Sequence, residues 1–180
     1  ISPGDALAHW NRGLSLLGLG RLAEGWADYE HRLRLPSAPR PVSLSPWDGL
    51  GRDKVLVRRE QGLGDELLFA NCLPDLLGAV AAASIECDRR LAPLYRRSFP
   101  QARIVPVRRP LAGEAEPPAE PGDSRFWVAL GSLPGRFRRS LEAFPATGGY
   151  LGPDGKRYTE ADLANPGNKT WQSMLVPPTP

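Results

Sequence analysis

The apolar residues of the first 35 positions recur at helical spacing in two runs. Steps of three or four residues separate Leu7, Trp10, Leu14 and Leu17 in the first run, and Leu22, Trp26, Tyr29 and Leu33 in the second. Residues spaced in this way share one face of a helix. The pattern predicts helices over residues 5–18 and 21–35, each with one apolar stripe, joined as a hairpin at Leu19-Gly20.

Short β-branched and leucine-rich runs alternate with helical patterns in the next hundred residues. Strands are predicted at 55–57, 83–87, 102–107 and 126–130, and helices beginning at Asp65, Asp88 and Ser132, the last ending near Phe144. Strands that alternate with helices at this spacing indicate right-handed crossovers and a parallel sheet. We therefore expect an α/β fold: a Rossmann-like parallel sheet of about four strands flanked by helices and preceded by the helical hairpin.

Proline and glycine mark the boundaries between these regions. We predict a helical hairpin at 1–35, a proline-rich linker at 36–53 that Trp47 anchors to a neighbour, a Rossmann-like domain at 54–151 and a disordered tail at 152–180. A polar loop with several prolines is expected at 108–123. Because the chain starts at Ile1 without a methionine and stops in a proline-rich stretch, we expect a fragment of a longer protein.

A glycine turn joins the first strand to its helix. Gln61-Gly62-Leu63-Gly64 precedes Asp65, so backbone N–H groups and a helix N-terminus are expected at the carboxyl edge of the strand, where open α/β sheets bind ligands. Glycine tolerates positive φ and lets a ligand approach the backbone closely. Asp65 has two interpretations: it caps its helix, or it acts on a ligand in the cleft. The spacing lacks a full G-x-G-x-x-G motif, which does not favour a dinucleotide site.

Composition narrows the functional classes. The formal charge of the 180 residues is +3, and the arginine pairs are spread along the chain without a stacking surface of aromatic residues. This pattern favours solvated faces first, contacts to small anions second, and does not favour nucleic acid. Cys72 and Cys87 form no metal or redox motif and are expected to be buried thiols in a reducing compartment. No apolar run approaches about 18 residues and no signal peptide is evident, so we expect no membrane span and a cytoplasmic protein.

Several segments together resemble a known kind of bacterial protein. They are GWADYEHR at 25–32, WDG at 47–49, REQGLGDELLFANCLPDLL at 59–77, SLP at 132–134 and Tyr150-Leu151. In order and spacing they resemble proteins that carry tetratricopeptide repeats followed by a glycosyltransferase-like domain related to heptosyltransferases and, more remotely, to O-GlcNAc transferases. Gly13, Gly25 and Tyr29 match repeat positions, whereas Arg32 stands where the repeat has alanine. The resemblance covers roughly residues 18–151, and EQGLGD is its most specific part.

The resemblance implies a GT-B architecture, in which two Rossmann-like domains face each other across a cleft. The first domain holds the acceptor, and this chain matches that domain. The resemblance places the general base on Asp65 and substrate contacts on Gln61, Gly62 and Gly64, with Glu60 and Arg59 at the same rim. It implies metal-independent transfer without a cofactor, from a nucleotide-sugar donor to a glycan or protein acceptor.

Two departures from the pattern shape the expectations. No second domain follows residue 151, so the chain alone is expected to be inactive, and Glu66 stands where relatives have a small or apolar residue. The alternative function is a non-catalytic module or pseudoenzyme, with the tetratricopeptide-like hairpin binding a partner protein. A third interpretation, a standalone nucleotide-binding domain, depends on the glycine turn alone.

Overall fold

A computed structural model describes residues 4–36, 38–39, 42–108, 118–146 and 149–152. Two helices, α1 (Ala6–Gly18) and α2 (Leu22–Tyr29), lie where the apolar stripes predict them. A 3-10 turn, Glu30–Arg34, replaces the predicted last part of the second helix. Asp5 caps α1, because its Oδ1 accepts a hydrogen bond of 2.9 Å from Ala8 N. The assignment of this hairpin to tetratricopeptide repeats stays a prediction.

The predicted α/β class is confirmed by a five-stranded sheet in which every pair of neighbours is parallel. The strands are β1 (Ser45–Pro46), β2 (Lys54–Arg58), β3 (Ala82–Asp88), β4 (Arg103–Val107) and β5 (Phe126–Ala129). Their order across the sheet is β1-β5-β2-β3-β4. The linker contributes β1, which the sequence did not predict: two residues show no periodicity, and proline is tolerated only because this strand lies at the edge.

Four more helices accompany the sheet in the described part of the chain: α3 (Leu63–Phe69), α4 (Leu73–Ala79), α5 (Ala92–Ser98) and α6 (Pro134–Phe137). Three predicted starts were wrong, among them the one at Ser132, since α6 begins at Pro134. The helix expected at Asp65 begins two residues earlier because Gly62 is its N-cap. The helix expected at Asp88 begins at Ala92, because Asp88 ends β3 and its Oδ1 accepts a hydrogen bond of 3.0 Å from Arg90 N in the turn that follows.

The predicted helix through Phe144 is also wrong, since α6 is a single turn. At Arg138 the backbone leaves helical geometry, with φ at −134°. The guanidinium group turns inward, where Nη2 donates to Asn71 O at 2.8 Å and to Asp75 Oδ2 at 2.7 Å. These bonds pair the buried charge of Arg138. A buried charge left unpaired costs far more free energy than a few more helical residues would contribute.

The core lies between the sheet and its helices. Val55, Val57 and Ile85 of the sheet and Leu73 and Leu76 of α4 are fully buried. Cys72 and Cys87 are free and buried, as predicted. Trp47 is 2% exposed, and its backbone N–H donates to Trp127 O at 2.7 Å, which confirms that the linker is anchored there.

Among the residues described above, no helix has the length and apolar character needed to cross a membrane. The predicted tail beyond Gly152 and most of the loop at 108–123 lie outside the described residues. The predicted domain boundaries stay a prediction.

Candidate functional site

The strand order predicts a ligand-binding crevice at one point of the sheet edge. From β2 the chain moves outward through β3 and β4, and then returns to the opposite side of β2 as β5. The order therefore reverses between β2 and β5, where the register pairs Arg58 with Ala129. In open α/β sheets, ligands bind outside the carboxyl ends of the strands at such a reversal. We call this place, between residues 59–65 and residues 130–134, the switch-point crevice.

The glycine turn lies in this crevice and holds Asp65 in a capping box. Asp65 is the third residue of α3, and its Oδ2 accepts a hydrogen bond of 2.8 Å from the N–H of Gly62, the N-cap. This is the capping role that the sequence left open. The half-buried carboxylate forms no second hydrogen bond within the described part of the chain. Its Oδ1 is thus not committed to the cap.

The glycines of this turn differ from the expectation in one respect. Neither Gly62 nor Gly64 has a positive φ; the left-handed residue is Gln61, with φ at 57°. Gly64 is exposed, and no other residue would crowd a side chain there. At Gly62 an added Cβ would lie 3.1 Å from Asp65 Oδ2, so this glycine leaves room for the cap.

Gln61 fixes the turn to the hairpin. Its Nε2 donates to the phenolic oxygen of Tyr29 at 2.7 Å. Burial raises the pKa of Tyr29 to about 12. Left-handed backbone at a residue other than glycine is strained and is found preferentially at functional sites. The position of Gln61 beside Asp65 agrees with a role in binding, although the role itself stays a prediction.

Glu60 makes a buried ion pair with Arg32 of the 3-10 turn. Glu60 Oε1 lies 2.6 Å from Arg32 Nη2, and Oε2 lies 2.9 Å from Arg32 Nε, so the pair is bidentate. Gly131 N donates to the same Oε1 at 2.7 Å. Both carboxylate oxygens of Glu60 are therefore engaged by protein groups, and the role of Glu60 visible here is to join the hairpin to the two loops of the crevice.

Arg32 extends this network beyond Glu60. Its Nη2 also donates to Ser132 Oγ at 3.0 Å, its Nη1 donates to Glu30 Oε1 at 2.8 Å, and its guanidinium carbon lies 4.4 Å from the Tyr29 ring centroid. The hairpin thus forms one wall of the switch-point crevice. In the sequence this wall is indicated only weakly, by a charged residue at a position where a tetratricopeptide repeat has a small one.

Arg59 and Glu66 lie in the interior. Arg59, expected at the rim, is 4% exposed, and Glu66 is fully buried. Glu66 Oε2 accepts a hydrogen bond of 2.8 Å from Asp88 N at the end of β3, and Tyr95 donates to Glu66 O at 2.7 Å. Glu66 therefore joins α3 to the neighbouring strand and places no charge at an open rim.

A cavity of about 220 Å³ opens on the β5 side of the crevice, between α2 and α6. Trp26, Glu30, Ser132, Arg136 and Arg139 line it together with small residues. An indole, a carboxylate, a hydroxyl and guanidinium groups provide an apolar surface and polar groups for a ligand. Asp65 is not part of this lining, and the cavity meets the crevice at Ser132.

The fold and the crevice define an α/β protein of the Rossmann-like, parallel-sheet kind. In sequence the chain is similar to Protein FlbA of Caulobacter vibrioides, with 37% identity over 197 aligned residues. The alignment covers 97% of this chain and 33% of that relative, so the chain spans about a third of the relative's length. No family model and no solved structure matches the chain.

Proposed function

We propose that this chain is the acceptor-side domain of a sugar-nucleotide-dependent glycosyltransferase, in which Asp65 is the general base. The observation that carries the proposal is the position of Asp65 at the switch-point crevice, with one carboxylate oxygen bound to Gly62 N and no hydrogen bond to the other within the described residues. The Gly62 bond fixes the carboxylate, and the remaining oxygen can accept a proton.

The chemistry requires such a group. An acceptor hydroxyl is a weak nucleophile, and it attacks the anomeric carbon of the donor more readily when a carboxylate removes its proton. A positioned general base contributes about 10²- to 10⁴-fold in rate. Gln61, Gly62 and Gly64 line the turn on which an acceptor would rest, and the neighbouring cavity offers Trp26 and Glu30 for further acceptor contacts.

The nucleotide-sugar donor belongs to a second domain in this proposal. A GT-B enzyme holds its donor on a second Rossmann-like domain, and the described residues contain one parallel sheet. Two thirds of Protein FlbA lie outside the aligned part, which leaves room for such a domain in a protein of that length. A cytoplasmic location is part of the proposal, since buried free thiols suit a reducing compartment.

Replacing Asp65 by asparagine in the full-length parent protein tests the base. Asparagine can still accept the Gly62 N–H bond, so the cap and the fold are retained while the base is lost. With a nucleotide-sugar donor we expect kcat to fall by about 100-fold or more. Asp5→Asn is the control, because Asp5 also accepts a backbone N–H at a helix N-terminus, as the N-cap of α1, and lies outside the crevice. Turnover by Asp65→Asn equal to that of Asp5→Asn would exclude the proposed base.

A second function, binding of a partner protein by the hairpin, is supported by the surface of α1. Leu7 and Leu14 lie two helical turns apart and are 51% and 46% exposed. Apolar side chains on one face of a helix are suited to a partner helix or peptide. A Leu7→Ser/Leu14→Ser variant should lose the partner in a pull-down, whereas Leu50→Ser, a change at another exposed leucine, should keep it. Equal capture by both variants would argue against this function.

A further inference from the structure

The two histidines of the chain lie side by side on the hairpin. His9 belongs to α1, and His31 belongs to the 3-10 turn that follows α2. Their ring centroids are 4.0 Å apart and their planes differ by 12°, so the imidazoles are stacked. The apolar periodicity of the sequence does not indicate this pairing, because it depends on how α1 packs against the turn after α2.

Asp28 completes a cluster of three groups that can bind a metal ion. Its Oδ1 lies 3.1 Å from His9 Nδ1, and one donor atom from each of the three residues lies within 4.8 Å of the other two. In the described part of the chain, His9 Nε2 and His31 Nδ1 are buried and have no hydrogen-bond partner. Polar atoms left unpaired in the interior cost free energy and call for an explanation.

We propose that His9, Asp28 and His31 form a binding site for a divalent transition-metal ion, with Zn²⁺ as the best fit. Imidazole nitrogens and a carboxylate oxygen are the ligands that zinc prefers apart from thiolates. Around a tetrahedral zinc ion, donor atoms about 2.0–2.2 Å from the metal are about 3.3–3.6 Å apart. The three donor atoms lie within 4.8 Å of one another. Each pair therefore has to come closer by no more than about 1.5 Å, which rotations of the side chains supply.

Arg12 competes with the metal for Asp28. Its Nε and Nη2 both donate to the Asp28 carboxylate, the latter to Oδ1 at 2.7 Å. The Arg12 side chain is 49% exposed and can swing into solvent, whereas the Asp28 side chain is only 9% exposed and stays in place. When the metal ion binds, it therefore replaces the Arg12 guanidinium at Asp28. Removal of Arg12 should strengthen metal binding.

Zinc titration of the full chain by isothermal calorimetry tests the site, with Co²⁺ absorption as a reporter of the ligands. We expect one ion per chain and a Co²⁺ spectrum typical of nitrogen and oxygen ligands. His9→Ala and His31→Ala should each weaken binding by about 100-fold, and Arg12→Gln should tighten it by about tenfold. Arg21→Gln is the matched control, because Arg21 pairs with Glu24 on the same hairpin without touching the cluster. Its affinity should equal that of the wild type.

Three results would overturn the proposal. They are equal zinc affinity in a His9→Ala/His31→Ala double variant, an intense thiolate charge-transfer band in the Co²⁺ spectrum, and an affinity of Arg12→Gln no higher than that of Arg21→Gln. The Arg12→Gln variant retains both histidines, so its comparison with Arg21→Gln decides the question even if a histidine variant loses helical structure. Circular dichroism would show such a loss.

Discussion

Gln61 shows how a single residue can be held in an unfavourable backbone conformation. An L-residue at positive φ costs about 1–2 kcal/mol, a cost that glycine avoids. In return, the Gln61 amide bonds to the buried Tyr29 hydroxyl, and a net hydrogen bond is worth about 1 kcal/mol. The two terms are of similar size, so the side chain compensates for its backbone and ties the glycine turn to the hairpin.

A pair of substitutions at Gln61 separates these two terms. Gln61→Ala and Gln61→Gly both lose the bond to Tyr29, but only alanine keeps the backbone strain. We expect Gln61→Gly to be more stable than Gln61→Ala by about 1 kcal/mol in urea unfolding. The reverse order would mean that the left-handed conformation of Gln61 is not strained.

The two cysteines give a prediction of pH dependence. Burial raises the pKa of both Cys72 and Cys87 to about 12. A raised pKa lowers the thiolate fraction, and the thiolate is the reactive form. At pH 8 to 9 the folded chain should therefore resist iodoacetamide, and both thiols should react once urea unfolds it. Mass spectrometry counts the modified thiols. Rapid labelling of either cysteine in the folded chain would contradict the burial seen here.

At the scale of elements, the sequence predicts what local patterns determine. The strands at 54–58 and 82–88 follow from buried runs whose positions are read directly from the chain. Helix ends were harder, since α6 stops where Arg138 turns towards Asn71 and Asp75, over 60 residues earlier in sequence. The candidate site divides in the same way. The glycine turn before Asp65 is a local pattern, so the sequence indicates Asp65 as a candidate. The partner of Glu60 is an arginine 28 residues away, which no local pattern reveals.

Two helical glycines should respond in opposite ways to alanine. A Cβ at Gly13 would lie 2.8 Å from Tyr29 N and 3.0 Å from Gly25 O, because α1 and α2 approach closely there. Gly13→Ala should cost about 1–3 kcal/mol, the usual range for overpacking. At Gly78 in α4 no atom would meet the new methyl group, so Gly78→Ala should stabilise by about 0.5–1 kcal/mol. Thermal unfolding of the two variants checks both signs, and stabilisation by Gly13→Ala would contradict the close contact.

At the scale of the whole molecule, the hairpin and the sheet share one interior. Tyr29 belongs to the same buried cluster as Val57 of β2 and Leu133 beyond β5, with Trp26 packed against it. Trp26 Nε1 also donates to Arg138 O at 2.9 Å. The Arg32–Glu60 pair lies within this joint, with both side chains under 5% exposed. The hairpin and the sheet are therefore expected to unfold together.

The Arg32–Glu60 pair allows a test of that coupling. Among the described residues, Arg32→Met leaves only the Gly131 N–H to compensate the buried Glu60 carboxylate, and breaking a buried pair in this way costs about 3–5 kcal/mol. Because Arg32→Met/Glu60→Gln removes both charges, it should recover more than half of that loss. The exposed pair of Arg21 and Glu24 is the control, and Arg21→Met should leave stability almost unchanged. Urea unfolding followed by tryptophan fluorescence and by circular dichroism gives the free energies, and the two signals should coincide in the wild type. A loss in Arg32→Met no larger than in Arg21→Met would mean that this ion pair does not hold the hairpin to the sheet.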